Sequence, residues 1–343
     1  MDISVLGLPQ SGKSTFLKSL IKFNDSQELP EICTLKINDD RLKEVGKLLG
    51  HNKLSYPEIS FKEVNILSIK NNKTTELKEI ESIQNSYGLL LVIRCFENNH
   101  SNQILSDIDE IITELIFSDT VIIENIIERR KNNTKGKTKQ ELENINGEIQ
   151  LLETLKLHLE QGQPLNSYTF PKTELKKLVG YNLITLKPIF VLLNYDQDRS
   201  IIESNGDITK IKNKYCYPAK LEMELSELSE NESEEFRQSL NIEPRQDYKV
   251  LKSLFKAMGK IIFITAGEQE IKGWEINKGD NSLIAASKIH SDISKGFIRA
   301  EVIEYNTFIE LGSWNNCKKE GKVKGNGKEY IVNDGDIINF LHS

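Results

Sequence analysis

The residues with the clearest chemical meaning lie at the start of the chain. Residues 7–14 read Gly-Leu-Pro-Gln-Ser-Gly-Lys-Ser, the complete GxxxxGK(S/T) pattern of a phosphate-binding loop. In such a loop, successive backbone N–H groups wrap a phosphate, while Lys13 would reach the outer phosphates and the Ser14 hydroxyl would ligate Mg²⁺. The pattern therefore predicts that the chain binds a nucleoside triphosphate.

The segments on either side can place this loop at the edge of a sheet. The apolar run at residues 3–6 predicts a buried strand. The amphipathic residues 15–21 predict a helix that begins near Gly12 and directs the positive end of its dipole at the phosphate. Three further short apolar runs are typical of strands in a parallel α/β sheet, which is covered on both faces. They are residues 64–67, 88–93 and 189–193.

The long interval between the last two of these runs has a helical pattern. Apolar residues recur at helical spacings over residues 107–129 and again from Leu142 to Leu159, with a polar break at residues 132–136. This pattern predicts an antiparallel coiled-coil hairpin inserted into the sheet domain. The basic residues at its tip, between Arg129 and Lys139, form either a solvated surface or a contact with RNA phosphates.

Composition narrows the class of protein. The formal net charge of −6 gives the whole chain no general attraction for nucleic acid, so any RNA contact must come from a local basic patch. No apolar stretch approaches the roughly 20 residues of a membrane span, and an N-terminal strand leaves no room for a signal peptide. The four cysteines are widely spaced, which indicates thiols in a reducing cytoplasm. We therefore expect a cytoplasmic protein without membrane contact.

The segment from about Lys260 onward alternates polar and apolar residues between turn signals. This pattern predicts a small β-rich domain with one short helix at residues 284–289. His290 has no nucleophile or paired acid in the local pattern, so we interpret it as a packed structural histidine. A basic run near Trp314 is either a solvated face or a contact with rRNA. Its lysines are Lys318, Lys319, Lys322, Lys324 and Lys328.

Several motifs together resemble the YchF/Obg-like ATPase family. Besides the phosphate loop, they are Arg-Cys-Phe-Glu-Asn at residues 94–98 and the stretches 288–301 and 330–340. The resemblance covers essentially the whole chain. It implies an α/β fold, with a P-loop NTPase sheet domain that carries an inserted helical coiled-coil hairpin, followed by a TGS domain of β-grasp fold. The implied bounds are 1–258 for the nucleotide-binding domain, about 105–185 for the insertion, and 259–343 for the TGS domain.

The resemblance also implies a function. Members of the family are typically cytosolic, prefer ATP over GTP, hydrolyse it slowly with Mg²⁺ as cofactor, and associate with ribosomes. For this chain we expect a ribosome or rRNA partner, contacted through the TGS domain and the hairpin, and a monomeric state.

The family's nucleotide-binding positions carry over to the phosphate loop and the base loop. They are Gln10, Ser11, Gly12, Lys13, Ser14, Thr15, Asn194, Tyr195 and Gln197. Thr34, in Ile-Cys-Thr-Leu at residues 32–35, resembles the switch threonine that completes Mg²⁺ coordination, or else it lies in a loop without metal contact. Ser14 and Thr34 are thus the metal ligands that the resemblance implies.

The second switch departs from the family pattern. The family has Val-Asp-Ile-Ala-Gly-Leu where this chain has Val-Asn-Ile-Leu-Ser-Ile at residues 64–69. Asn65 replaces the aspartate that holds Mg²⁺, and Ser68 replaces the glycine whose N–H senses the γ-phosphate. We expect the loss to fall on hydrolysis more than on binding. His100 is the nearest candidate for the family's catalytic histidine, although an ordinary surface histidine fits its spacing at least as well.

Base recognition is expected after the predicted strand that ends at Leu193. GTPases read guanine through the aspartate of Asn-Lys-x-Asp, whereas this chain has Asn-Tyr-Asp-Gln at residues 194–197. Gln197 is neutral, so adenine is favoured, and Asp196 lies one position early. We expect Asn194 to touch the base and to tie this loop to the later motif at residues 218–222.

Three functions follow from these patterns. The leading one is a slow ATPase switch that works on the ribosome. The second is a ribosome-binding interaction protein that holds nucleotide with little or no hydrolysis, because Asn65 and Ser68 alter the second switch. The third is a GTPase.

Overall fold

The computed structural model describes residues 1–21, 29–65, 74–96, 101–133, 136–196, 200–239, 246–267 and 270–343. The chain forms two compact units, Met1–Cys33 with Ser60–Gln246, and Thr34–Ile59 with Asp247–Ser343. The second unit thus takes in a segment from the N-terminal part of the chain. The domain bounds that the resemblance implies, 1–258 and 259–343, stay a prediction.

A sheet with five strands that run parallel to one another supports the phosphate loop. Its strands are β1 (Asp2–Leu6), β2 (Cys33–Lys36), β4 (Glu58–Glu63), β5 (Gly88–Arg94), β6 (Ile189–Asn194) and β7 (Lys214–Tyr217). Within the described ranges they lie in the order β2-β4-β1-β5-β6-β7. Strand β1 pairs in parallel with β4 and β5, and β6 pairs in parallel with β5 and β7. The predicted parallel α/β sheet is confirmed.

One strand lies earlier in the chain than its apolar run suggested. The run at residues 64–67 predicts a strand there, but β4 ends at Glu63. Ile59 and Phe61 of β4 are buried while their neighbours are more exposed, so the strand alternates and shows no continuous apolar run. Residues 66–73 lie outside the described part of the chain.

The first unit also contains the helices around the phosphate loop and the hairpin. They are α1 (Lys13–Ile21), α3 (Thr74–Asn85), α4 (Ser101–Asn132), α5 (Lys139–Glu160), α6 (Lys172–Leu178), α7 (Ser200–Ser204), α8 (Gly206–Lys210), α9 (Ala219–Ser226) and α10 (Glu230–Ser239), with 3₁₀ turns at Leu165–Ser167 and Val179–Tyr181. No helix in the described residues is long and apolar enough to cross a membrane.

Helices α4 and α5 confirm the predicted hairpin, and both are longer than the sequence pattern indicated. Lys156 pairs with Glu124 at 2.6 Å and Arg130 pairs with Glu148 at 3.1 Å, so the two helices run antiparallel. Buried apolar side chains form the seam between them. These include Ile116, Ile123, Ile127, Leu152, Leu155 and Leu159.

A buried carboxylate anchors this hairpin. Asp119 of α4 accepts hydrogen bonds from the backbone N–H groups of Ile184 and Thr185, both at 2.7 Å, and from the Thr185 hydroxyl at 2.6 Å. The side chain is fully buried, and these donors replace the water it gives up. They fix the hairpin to the segment that leads into β6.

The second unit combines helices with a mixed sheet. Its helices are α2 (Asp40–Leu49), α11 (Asp247–Ala257), α12 (Ser282–Ile289), α13 (Ser291–Lys295), α14 (Tyr305–Leu311) and α15 (Trp314–Lys319). Its strands are β3 (Leu54–Ser55), β8 (Lys260–Ala266), β9 (Ile271–Asn277), β10 (Phe297–Ile303), β11 (Lys324–Asn326) and β12 (Ile337–His342). They lie in the order β11-β10-β12-β8-β9-β3 over the described residues.

This sheet has a β-grasp arrangement. Strands β8 and β9 form an antiparallel hairpin, and the last strand, β12, returns parallel to β8. Helix α12 buries Ala285 and Ala286 in the same core as Phe263. The β-rich domain and the helix at residues 284–289 are therefore confirmed. The expectation of one short helix was wrong, because α13, α14 and α15 follow it.

The segment Thr34–Ile59 is built into the second unit through α2 and β3. Strand β3 pairs in parallel with β9, with Leu54 opposite Ile271. Arg41 of α2 donates to Asp334 at 2.9 Å. A side chain at Gly273 of β9 would lie 3.1 Å from the Leu42 Cδ2 atom, so this glycine lets α2 pack closely.

Candidate functional site

The phosphate loop connects β1 to α1 through two residues with positive φ. Gln10 has a φ of 62° and Gly12 a φ of 91°, so the chain turns sharply before the helix begins at Lys13. A Cβ atom at Gly12 would lie 2.2 Å from the Asn194 Nδ2 atom, so a side chain has no room there. The sequence signal for this loop is therefore matched by a backbone that requires glycine at position 12.

Lys13 lies folded over the loop that carries it. Its ammonium donates to the carbonyl oxygens of Gly7 at 3.1 Å and Leu8 at 3.2 Å, and it lies 3.9 Å from the Glu63 Oε1 atom. Burial lowers the pKa of Lys13, and the charge of Glu63 offsets part of that effect. The lysine charge is thus held against the loop and at the wall of the cavity described below.

The Ser14 hydroxyl is hydrogen-bonded to a carboxylate that was not predicted from the sequence. It donates to the Glu63 Oε2 atom at 2.8 Å, and Glu63 is the last residue of β4. The sequence did carry a signal for this carboxylate. Glu63 lies two positions before Asn65, and residues two apart in an extended chain point to the same side. Asn65 itself is exposed. Ser68 lies outside the described residues, and so does His100.

Asn194 joins the phosphate loop to the base loop. Its Nδ2 group donates to the Ser11 carbonyl at 2.9 Å, and its Oδ1 atom accepts from the Ala219 N–H at 3.1 Å. The side chain is 4% exposed. The expected link between residues 194–197 and residues 218–222 is present, and the same amide also reaches the phosphate loop.

These residues surround a cavity of about 520 Å³ in the first unit. Most of the predicted nucleotide-binding residues line it, whereas Ser11 is buried beneath the loop, and Gln197 lies outside the described residues. The lining also includes five residues that the sequence analysis did not select as nucleotide-binding residues. The full set is Gln10, Gly12, Lys13, Ser14, Thr15, Glu63, Phe96, Asn194, Tyr195, Asp196, Lys220 and Met223.

The buried Ser11 side chain is an exception to the usual pairing of polar groups. It is 2% exposed, and its hydroxyl has no hydrogen-bond partner among the described residues. The role in nucleotide binding that the resemblance implies for Ser11 stays a prediction, and the burial of its side chain leaves only the backbone for it. Asn194 donates to the carbonyl of that backbone.

The oxygen donors at this site fit Mg²⁺. A hydroxyl and a carboxylate, from Ser14 and Glu63, are hard ligands of the kind that this ion prefers, and nucleotide phosphates supply the rest in such sites. Thr34, the other predicted ligand, is exposed on β2 and belongs to the second unit, so its role stays a prediction. Within the described ranges, no group of three or more His, Cys, Asp or Glu side chains could hold a metal alone.

Both basic patches are partly neutralised by ion pairs. At the hairpin tip, Arg130 pairs with Glu148 and Lys131 pairs with Glu153, each at 3.1 Å. In the second unit, the predicted lysine run is exposed throughout, although Lys324 lies 3.4 Å from Glu304. Ion pairs thus partly neutralise Arg130 and Lys131 at the tip, and Lys324 in the lysine run.

The prediction that His290 is packed is wrong. Its side chain is 64% exposed, and its Nδ1 atom accepts from the Asp292 N–H at 3.2 Å at the start of α13. The residue lies between two short helices, where a side-chain acceptor satisfies an otherwise unpaired N–H. Its role is still structural.

Comparison with known proteins identifies similar chains of nearly the same length. Residues 261–343 match the family described as YchF-GTPase_C, a protein of unknown function (DUF933). The ribosome-binding ATPase YchF of Buchnera aphidicola is 32% identical over 98% of both chains. That of Haemophilus influenzae is 30% identical over 98% of this chain and 97% of its own.

A solved structure shares the fold. The YchF GTPase of Schizosaccharomyces pombe superposes with a TM-score of 0.81 at 23% identity, covering 99% of this chain and 97% of that one.

Proposed function

Because the chain belongs to the YchF family, we propose that it binds ATP with Mg²⁺ at the phosphate loop and hydrolyses the nucleotide slowly. One observation carries this proposal. The loop with Lys13 and Ser14 lines a cavity of about 520 Å³, which lies within the usual size range of small-ligand sites. The bacterial relatives are named ribosome-binding ATPases, and we extend both parts of that name to this chain, with the cytoplasm as its location.

In the proposed reaction, backbone N–H groups of the loop hold the phosphates, and Lys13 neutralises charge on the outer phosphates during transfer of the γ-phosphoryl group to water. Ser14 would hold Mg²⁺, with Thr34 as the predicted second ligand. When bound, Mg²⁺ supplies further neutralisation of phosphate charge. His100 stays the candidate for the residue that orients the attacking water.

Asn194 has a positioning role in this proposal. Its amide bonds to the backbone of Ser11 and Ala219, and these bonds set the distance between the phosphate loop and the start of α9. Contact with the base would then fall to Tyr195, to Asp196 and, as the resemblance implies, to Gln197.

GTP is a second candidate because Asp196 lines the cavity. A carboxylate accepts hydrogen bonds from two guanine N–H groups but finds only one exocyclic amine on adenine. Calorimetric titration with ATP and GTP separates the two. ATP affinity at least tenfold higher than GTP affinity would reject the GTPase, whereas preferred GTP binding that Asp196→Asn abolishes would reject ATP.

Single-turnover hydrolysis of ATP tests the enzyme itself. We expect Lys13→Ala to lower the rate at least about 100-fold, because one preorganised charge in a phosphate site is worth that much. Lys210→Ala is the matched control, since Lys210 is an exposed lysine (78%) on α8 of the same unit. Equal rates for Lys13→Ala and the wild-type chain would refute catalysis at this loop.

The rival function, nucleotide holding with little or no hydrolysis, predicts a different result in the same assay. The wild-type chain would then bind ATP, but phosphate would be released no faster than from ATP in buffer without protein.

We also propose that the chain is a monomer whose C-terminal domain, of TGS type, contacts rRNA through its exposed lysines. Co-sedimentation with ribosomes tests this contact. Replacing Lys318, Lys319 and Lys322 by Ala should weaken it, and the same substitutions should reduce its salt dependence, because each lysine that meets a phosphate releases a counterion. Binding that is unchanged at every salt concentration would refute a role for this face.

A further inference from the structure

The carboxylate of Glu63 lies beside the phosphate loop because of how β4 pairs with β1. Glu63 is opposite Val5, two residues before the loop begins at Gly7. The residue after the strand is still held to β1, since the Val64 N–H donates to the Val5 carbonyl at 3.0 Å, and the Val64 side chain is buried. In an extended chain, the side chains at positions 63 and 65 therefore leave on the same side, opposite to Val64.

A carboxylate at position 63 can therefore serve the site that the family's aspartate serves from position 65. The glutamate side chain is one methylene longer than that of aspartate, and in this chain it closes the gap to the helix. Its Oε2 atom lies 2.8 Å from the Ser14 Oγ atom, and its Oε1 atom lies 3.9 Å from the Lys13 ammonium.

The direction of the Ser14 hydrogen bond suits metal binding. A carboxylate can only accept, so the Ser14 hydroxyl proton points to Glu63 and leaves the lone pairs of the oxygen available for a cation. Outer partners of this kind orient the ligand and increase the negative potential at the metal. Glu63 is 32% exposed and lines the same cavity as Ser14, so a hydrated ion could also reach it.

We propose that Glu63 supplies the charge that holds Mg²⁺ at this phosphate loop, in place of the aspartate that Asn65 replaces. This inference rests on the proposed binding of ATP. Glu63 acts as a positioning residue through Ser14, and its charge makes nucleotide binding depend on the cation. Without Mg²⁺ the carboxylate repels the phosphates, whereas with Mg²⁺ it attracts the ion between them. The altered second switch thus keeps a carboxylate, displaced by two residues along the strand.

The test compares the affinity for a non-hydrolysable ATP analogue with Mg²⁺ and with a chelator, in the full chain and in Glu63→Gln. Glutamine keeps the length of the side chain and can still accept from Ser14, so only the charge is removed. We expect the gain in affinity that Mg²⁺ gives to fall by about 10- to 100-fold, the range seen when an outer partner of a metal ligand is lost. Affinity in the chelator should stay the same or rise.

The matched control is Glu148→Gln, which makes the same chemical change at a carboxylate of the hairpin that is paired with Arg130. It should leave the Mg²⁺ dependence as in the wild-type chain. Circular dichroism of both variants checks that the fold is retained, and Mn²⁺ bound with the analogue, measured by electron paramagnetic resonance, gives a second readout of the ion.

The possible failures can be told apart. A wild-type chain that does not bind the analogue refutes the proposed function and this inference with it. Binding that depends on Mg²⁺ equally in the wild-type chain and in Glu63→Gln refutes the role of Glu63 and leaves the proposed function standing.

Discussion

Replacing Asn194 by alanine should destabilise the first unit by more than the lost side-chain volume alone would. The substitution removes one donor and one acceptor, and it leaves the Ser11 carbonyl and the Ala219 N–H without their partner. Ser11 is 2% exposed and Ala219 fully buried. Each buried polar group left unpaired costs about 1–3 kcal/mol, so the free energy of unfolding should fall by about 3 kcal/mol.

The effect should be local enough to follow at named positions. Hydrogen exchange at the Ala219 amide should become faster, because its acceptor is gone. Urea unfolding followed by far-ultraviolet circular dichroism gives the change in the free energy of unfolding. Fluorescence of Trp274 and Trp314, the two tryptophans of the chain, reports on the second unit alone and serves as an internal reference.

Asn166→Ala is the matched control. Asn166 also donates from its amide to a backbone carbonyl, that of Lys187 at 3.1 Å, but its side chain is exposed, so water can replace it. We expect a loss below about 1 kcal/mol for this variant. The reasoning would be refuted if Asn194→Ala cost no more than Asn166→Ala, since burial of the two unpaired groups would then have no energetic effect.

Two further predictions concern other parts of the chain. Ser11→Ala removes a buried hydroxyl that has no partner among the described residues. The free energy of unfolding should therefore stay the same or rise by up to about 1 kcal/mol, which a melting curve would detect. A clear fall in the melting temperature would show that the hydroxyl forms a hydrogen bond. In the second unit, burial and the hydrogen bond to Asp336 raise the pKa of Tyr330 to about 12. Because the folded pKa exceeds the unfolded value of about 10, the stability gained is complete below pH of about 10 and is lost as the pH rises through the folded value. Tyr330→Phe should therefore lose less stability at alkaline pH than the wild-type chain, by about 1 kcal/mol after allowing for partial exposure. Urea unfolding measured across this pH range checks the difference. An equal loss of stability in both proteins would contradict the assignment.

The parts of the fold that could be predicted are those whose residues meet a uniform environment. Strand β5 is covered on both faces and reads as one apolar run, and the hairpin seam repeats at helical spacing over many turns. Strand β4 alternates instead, because only one of its faces is buried, and its end was misplaced by the apolar run that follows. Its last residue, Glu63, was missed for the same reason.

Other features depend on contacts between residues distant in the sequence. The sequence pattern of residues 34–59 does not predict that they pack with residues beyond 246. The pairing of Leu54 with Ile271 depends on where the fold places β9. The link from Asn194 to Ser11 is of the same kind, because it spans 183 residues. A pattern in one segment specifies its own conformation but not which distant backbone group it will meet.

The discontinuous second unit has a practical consequence for dissecting the protein. A fragment that begins at Asp247 would lack α2 and β3, so it would leave one side of β9 as an open sheet edge and Asp334 without Arg41. Open edges invite pairing with other chains, and such a fragment would aggregate. A faithful excision must join residues 34–59 to residues 247–343 through a linker. The first unit then needs a second linker, which joins Cys33 to Ser60. That junction lies three residues before Glu63, the last residue of β4.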